Sequence, residues 1–181
     1  MNFHPEALAG VWLVEPQRQE DARGHFARTF CKEVFAQHGL PTNWVQCSVS
    51  FNHRRGTLRG MHWQAAPHGE GKLVRCTRGA IFDVAVDLRP SSPTYCRWLG
   101  VELSGVNGRQ LYIPEGFAHG FVTLEDASEV YYQITTPFVA AAARGARWND
   151  PVFSICWPME AMIISEKDRN FADYHPENST K

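Results

Sequence analysis

Three features of this 181-residue chain predict an all-β domain. From residue 44 to about residue 136, short runs rich in Val, Ile, Thr, Tyr and Phe are separated by Gly, Asn, Pro or Ser at the spacing of sandwich and barrel strands. Helical signals are scarce outside one short stretch near the N-terminus. The length fits one domain, residues 1–181, in which roughly two thirds of the unfolded surface can be buried without disulfides or metal.

Taken in order, residues 7–15 (Ala-Leu-Ala-Gly-Val-Trp-Leu-Val-Glu) read as an opening strand, and Pro16 with the polar run to Gly24 reads as a loop. Residues 26–30 alternate apolar with polar, and residues 32–38 suggest a short helix stopped by Gly39 and Pro41. Residues 80–87 form an apolar strand interrupted by Asp83 and Asp87, which share a face with Ile81 and Ala85. Asp87 could equally end the strand and pair with Arg89 at the surface. Asp83 lies deeper and is expected to face a polar cavity, because an unpaired buried carboxylate is costly. The tail from Ala140 to Lys181 is rich in turn residues, and its last ten or so are polar enough to fray.

With Lys+Arg at 18 against Asp+Glu at 19, the chain carries a formal charge of −1 and no basic stripe, so nucleic acid and anionic membrane are poor partners. The five cysteines, at 31, 47, 76, 96 and 156, are odd in number and widely spaced, which predicts reduced and mostly buried thiols. The first residues lack a basic and an apolar leader region, and no window reaches membrane-spanning length; a cytoplasmic protein is expected.

Two stretches concentrate the chemistry. The first is Gly56-Thr57-Leu58-Arg59-Gly60-Met61-His62-Trp63-Gln64, followed by Lys72-Leu73-Val74-Arg75; Arg59, His62, Gln64, Lys72 and Arg75 read as an active-site floor. The second runs from Gly108 to Phe121 and contains Pro114-Glu115-Gly116-Phe117-Ala118-His119-Gly120-Phe121. Together they resemble the paired motifs of a cupin, a double-stranded β-helix or jelly-roll barrel, here with short helices in the N- and C-terminal parts. Metal cupins place His-x-His where this chain has His62-Trp63-Gln64, and no well-spaced glutamate completes a ligand set. Acid–base chemistry without metal is the expectation.

Seven segments carry a closer resemblance: Asp21-Ala22-Arg23-Gly24-His25-Phe26, the two parts of the first stretch, Asp83-Val84-Ala85-Val86-Asp87-Leu88-Arg89, the second motif, Trp148-Asn149-Asp150-Pro151 and Ser165-Glu166-Lys167-Asp168. In this order and spacing they resemble the dTDP-4-dehydrorhamnose 3,5-epimerase family over roughly residues 3–170. The resemblance implies epimerisation at C3 and C5 of a nucleotide-linked 4-keto-6-deoxyhexose, no cofactor, and a homodimer formed by exchange of N-terminal strands, which would also protect barrel edges.

That chemistry needs a base, a holder for the enolate and an acid on the opposite face. A base working near neutrality favours histidine, and His62 is the candidate by its place in the central motif and by the resemblance. The resemblance supplies Asp168 as the carboxylate that orients its imidazole, a pairing invisible in the sequence, where Asp168 alone reads as a turn residue. It supplies Lys72 as the enolate cation and Tyr132 as the acid. Lys72, between Gly71 and the apolar Leu73-Val74 pair, is poorly placed for a merely solvated charge. Only one of Tyr131 and Tyr132 can face the cavity, because strand neighbours point to opposite sides. Arg23 and Arg59 resemble the diphosphate-binding arginines of the family, suited by their forked donors. His119 is expected to contact substrate or to hold Asp83.

Phe26, Arg28, Gln46, Ser48 and Phe138 complete the substrate-binding set that the resemblance implies. Three positions depart from the family pattern: an acidic residue is usual where Arg28 stands, asparagine at Ser48 and tyrosine at Phe138. Arg28 and Ser48 belong to the nucleotide end, so another base or another nucleoside diphosphate sugar stays open; Phe138 keeps single 3-epimerisation open. From other classes, a non-catalytic sugar-nucleotide binding cupin would need the arginines but not the proton-transfer set. A metal-dependent cupin oxygenase or isomerase would have to use His62, Gln64 and His119, a poor ligand set.

Overall fold

A computed structural model describes residues 1–176. In chain order the elements are β1 (Asn2–Pro5), β2 (Trp12–Glu15), β3 (Arg18–Asp21), β4 (Gly24–Ala27), α1 (Lys32–Gln37), β5 (Gln46–Asn52), β6 (Thr57–Gln64), β7 (Lys72–Arg78) and β8 (Ala80–Asp87). They continue with β9 (Trp98–Ser104), β10 (Gln110–Ile113), β11 (Phe117–Thr123), β12 (Ser128–Ile134), β13 (Ala143–Gly145), β14 (Ile163–Ile164) and α2 (Glu166–Arg169). One sheet has the order β1-β2-β10-β7-β12-β5 and the other β13-β6-β11-β8-β9. These pairings are antiparallel, and β14 adds to β6 in parallel.

Period-two alternation turns one face of each sheet inward. Val74 and Cys76 of β7, Leu111 and Ile113 of β10 and Val130 of β12 meet Ile81 and Ala85 of β8, Leu103 of β9, and Phe117 and Phe121 of β11 in one buried cluster. The outer face of the second sheet is covered too: Met61, Trp63, Val84, Val86 and Ala118 pack against Phe153 and Tyr174 of the C-terminal segment. That cover explains why β8 is apolar on both faces rather than alternating. The tail is therefore a structural layer as well as a set of turns; of the last ten residues, expected to fray, Tyr174 is buried in that layer, and residues 177–181 lie outside the described residues. Among the described residues no helix is long and apolar enough to cross a membrane.

At six residues α1 is too short to persist alone; Phe35, fully buried among Phe3, Trp12, Phe30, Trp44 and Tyr112, pins it to the first sheet. Burial of such a side chain contributes about 1.5–3 kcal/mol.

Three expectations need correction. The opening strand is shorter than residues 7–15, because Gly10 adopts φ +91° and the chain becomes regular only at Trp12. Residues 16–24, read as a loop, contribute β3 and the turn of a two-stranded hairpin with β4, whose polar residues are exposed on both faces and so give no alternation. The cysteines are free, but only Cys76 is buried; Cys47 lies exposed on edge strand β5 and Cys156 exposed in the irregular C-terminal segment.

Candidate active site

The paired sheets leave one end of the barrel open, and a cavity of about 560 Å³ lies there between β5, β7 and β12 on one side and β6 and β11 on the other. Two glycines set its floor. Gly60, at φ +130°, crosses so close to β11 that a Cβ would lie 2.6 Å from Gly120 Cα; one on Gly120 would lie 2.8 Å from Arg59 O. Neither position admits a side chain. The close crossing puts His62 opposite His119 in register, and a bulge follows between His119 and Phe121.

His62 Nε2 lies 2.7 Å from Asp168 Oδ1, although 106 residues separate them. The C-terminal segment is delivered by β14, which pairs Ile163 with Thr57 and Ile164 with Leu58 of the strand that carries His62. Ser165 then caps α2, its hydroxyl accepting from the Asp168 backbone N–H at 3.1 Å. The second carboxylate oxygen of Asp168 accepts from Gly60 N–H at 3.3 Å. Burial works against the charge, but the His62 and Gly60 hydrogen bonds hold the Asp168 carboxyl below the usual carboxylate range.

Facing this pair across the cavity are Lys72 and Tyr132, on neighbouring strands β7 and β12. Lys72 is buried, and its Nζ lies 2.8 Å from Glu70 Oε1. Tyr132 lines the cavity, with its ring edge-on to His119 at 6.0 Å. Burial first, and then the Asp83 carboxylate, push its phenol well above the ordinary tyrosine value, so it stays protonated. Tyr131 points to the other side of the sheet, under the Arg75 guanidinium at 5.2 Å. Arg75 thus lies on the outer face with Tyr131 and is no part of the floor: period two puts Lys72 and Val74 inward and Arg75 outward.

His119 also lines the cavity, and its Nε2 lies 2.8 Å from Asp83 Oδ1. Asp83 is fully buried behind His119 rather than on the cavity wall. Asp87 does pair with Arg89, at 2.7 Å, but is itself buried, with Ser92 and Thr94 as further donors. Arg59 lines the cavity and donates from Nε to Asn52 Oδ1 at 2.8 Å. Gln46, Ser48 and Phe138 form its rim, where Gln46 Oε1 accepts from Phe138 N–H at 3.1 Å. Gln64 braces loops instead, bonded to His68 O, Pro137 O and Val139 N–H.

Within the single chain, Arg23, Phe26 and Arg28 do not reach this cavity. Arg23 closes the turn of the β3–β4 hairpin and bonds to Asp21, Phe26 is 68% exposed on β4, and Arg28 lines a separate depression with Met1 and Gln17. The hairpin pairs with neither barrel sheet. Arg18 of β3 donates to Val106 O, and His25, Phe26 and Ala27 of β4 share a depression with Arg75 and Thr77, separate from the cavity.

Glu70 and Lys167 also line the cavity and were not singled out from the sequence. The signal for Glu70 was present: in an extended Glu-Gly-Lys, residues two apart share a side. Among the described residues, no group of three His, Cys, Asp or Glu side chains is placed to hold a metal ion.

Two antiparallel sheets closed around an apolar core, with polar residues from both at the open end, make this a jelly-roll barrel of the cupin type. Residues 5–175 match the family model described as dTDP-4-dehydrorhamnose 3,5-epimerase. The chain is 46% identical to the dTDP-4-dehydrorhamnose 3,5-epimerase of Sinorhizobium fredii over 169 residues, which cover 93% of this chain and 87% of that one. Its likeness to the enzyme of that name from Methanothermobacter thermautotrophicus is also 46%, over 93% and 92% of the two chains. The crystal structure of dTDP-4-dehydrorhamnose 3,5-epimerase from Bacillus anthracis, with TDP and PPi bound, superimposes with a TM-score of 0.93 at 39% identity, over 96% of this chain and 99% of that one. The chain belongs to the dTDP-4-dehydrorhamnose 3,5-epimerase family.

Proposed function

We propose that this protein epimerises C3 and C5 of a nucleotide-linked 4-keto-6-deoxyhexose, of the dTDP-4-dehydro-6-deoxyglucose type, through an enolate. The observation that carries the reading is the His62–Asp168 pair facing Lys72 and Tyr132 across one cavity. His62 removes the proton next to the ketone, while Asp168 fixes the tautomer and stabilises the imidazolium that forms. Lys72 stabilises the negative charge that gathers on the C4 oxygen. Tyr132, kept protonated by its surroundings, returns a proton to the opposite face. Each proton is moved by a side chain, so the sequence of steps calls on no cofactor.

Arg59 takes the diphosphate, and Gln46 and Ser48 take the nucleotide side of the rim. In a homodimer that exchanges N-terminal strands, the β3–β4 hairpin of one protomer would deliver Arg23, Phe26 and Arg28 to the cavity of the other. The exposure of Phe26 and its distance from its own cavity support that arrangement. Phe138, a rim aromatic without a hydroxyl, favours one alternative within the class, exchange at C3 alone.

Proton NMR of product formed from dTDP-4-keto-6-deoxyglucose in heavy water tests the reading. Deuterium at both C3 and C5 is the expected outcome, and deuterium at one carbon selects the 3-epimerase. No incorporation, with GDP, CDP and UDP analogues also inert, would leave a binding protein.

A further inference from the structure

Glu70 is a carboxylate on the wall of the cavity that the proton-transfer scheme does not use. Its Oε1 lies 2.8 Å from Lys72 Nζ, and each side chain of the pair is only 11% exposed. Its Oε2 lies 3.4 Å from Gln64 Nε2. Gln64 is in turn tied to three backbone groups on two loops: its Nε2 donates to His68 O at 3.1 Å and to Pro137 O at 3.2 Å, and its Oε1 accepts from Val139 N–H at 2.6 Å. Gln64 Nε2 has two protons for three acceptors, so its longer contact to Glu70 is a shared one; the link from the loops through Gln64 to Glu70 is weak, and the contact from Glu70 to the ammonium group of Lys72 is the strong one.

A lysine ammonium is a compact charge on a flexible stem, with nothing in its own bonding to set its direction. Stabilising an enolate oxygen demands a donor already in place, since reorganisation at the moment of reaction forfeits the benefit. A single carboxylate contact leaves two of the three Nζ protons for the cavity. The pairing also offsets the desolvation of both charges, so the lysine can stay buried without a ligand.

We propose that Glu70 is a positioning residue, which aims Lys72 Nζ at the enolate oxygen. The proposal rests on the reading of Lys72 as the enolate cation. Glu70→Ala removes the anchor, and kcat falls by about 10- to 100-fold, the usual cost of a misplaced reacting group. KM moves less than about twofold, because the nucleotide contacts lie elsewhere in the cavity. Glu70→Gln retains an acceptor oxygen at the same reach and recovers most of kcat.

The experiment measures kcat, KM, solvent deuterium incorporation and the thermal midpoint for wild type, Glu70→Ala, Glu70→Gln and Lys72→Met. A loss in kcat for Glu70→Ala, rescued by Glu70→Gln, with the folded state intact, supports the proposal. Wild-type kcat in Glu70→Ala with Lys72→Met inactive overturns it and leaves the role of Lys72 standing. Wild-type deuterium incorporation in Lys72→Met overturns the underlying reading of the lysine and this proposal with it. A kcat loss equal in Glu70→Ala and Glu70→Gln also overturns it, because charge rather than anchoring would then be at work.

Discussion

His62 and His119 stand opposite each other on neighbouring strands and face the same cavity, each with Nε2 on an aspartate, at 2.7 and 2.8 Å. In bond length the two pairs are alike. They differ in access: the His62 side chain is 40% exposed, whereas that of His119 is 7% and its Asp83 is sealed off completely. The difference follows from where each aspartate comes from. Asp83 sits on β8, next to the strand of His119 and deep between the sheets, so it draws its histidine into the barrel wall. Asp168 arrives from outside the sheets on a separate segment, and supports its histidine from behind while leaving the ring open to the cavity. A proton acceptor needs the second arrangement; a wall needs the first.

The largest effect should come from breaking the open pair. His62→Ala is expected to abolish deuterium incorporation and lower kcat by about 10²- to 10⁴-fold. The thermal midpoint should move little, because the ring is half exposed and its Asp168 partner keeps the Gly60 donor. Asp168→Asn should approach the same kcat loss with KM nearly unchanged, since it leaves the shape but favours the wrong tautomer. Steady-state kinetics with calorimetry on both variants checks the split.

Breaking the closed pair should do the reverse. His119→Ala leaves the buried Asp83 carboxylate without its partner, a loss of about 3–5 kcal/mol of stability. Denaturant unfolding should show that loss, and an unchanged unfolding midpoint would make His119 a cavity residue with no structural duty.

A third buried carboxylate, Asp87, sharpens the contrast, because it is not among the residues that line the cavity. Burial pushes the Asp87 carboxyl up, but Arg89, Ser92 and Thr94 outweigh it and hold the group at about 2, against an ordinary 3.8. A depressed value means that the stabilisation is complete above pH 3.8 and is lost as pH falls through about 2. Asp87→Asn should therefore lower the thermal midpoint at neutral pH and flatten its dependence between pH 4 and pH 2. An acid limb unchanged from wild type would rule out the linkage.

The smallest effect is expected at the rim. Phe138→Tyr adds one hydroxyl to a side chain that is 63% exposed, and should change the C3-to-C5 deuterium ratio by a few fold with no measurable change in stability. An identical ratio would remove Phe138 from the control of which carbons react.

Much of this was legible in the chain before folding. Local pattern fixed the strands of the barrel, the single short helix near the N-terminus and the two motifs that supply its floor, because period two and turn chemistry act over a few residues. It also placed Asp83 inward and allowed only one of Tyr131 and Tyr132 into the cavity, since a strand cannot turn two neighbours the same way. Contacts between distant segments were not written there. The meeting of His62 with Asp168 depends on β14 pairing with β6, and the sealing of Asp87 on the loop that carries Ser92 and Thr94. The separation of Arg23, Phe26 and Arg28 from their own cavity emerged only with the sheets assembled, whereas the outward turn of Arg75 follows from the same period two that puts Lys72 inward. Sequence sets which residues can share a face, because that is local geometry; which faces meet is decided by burial summed over the whole chain, and only the tertiary structure carries that sum.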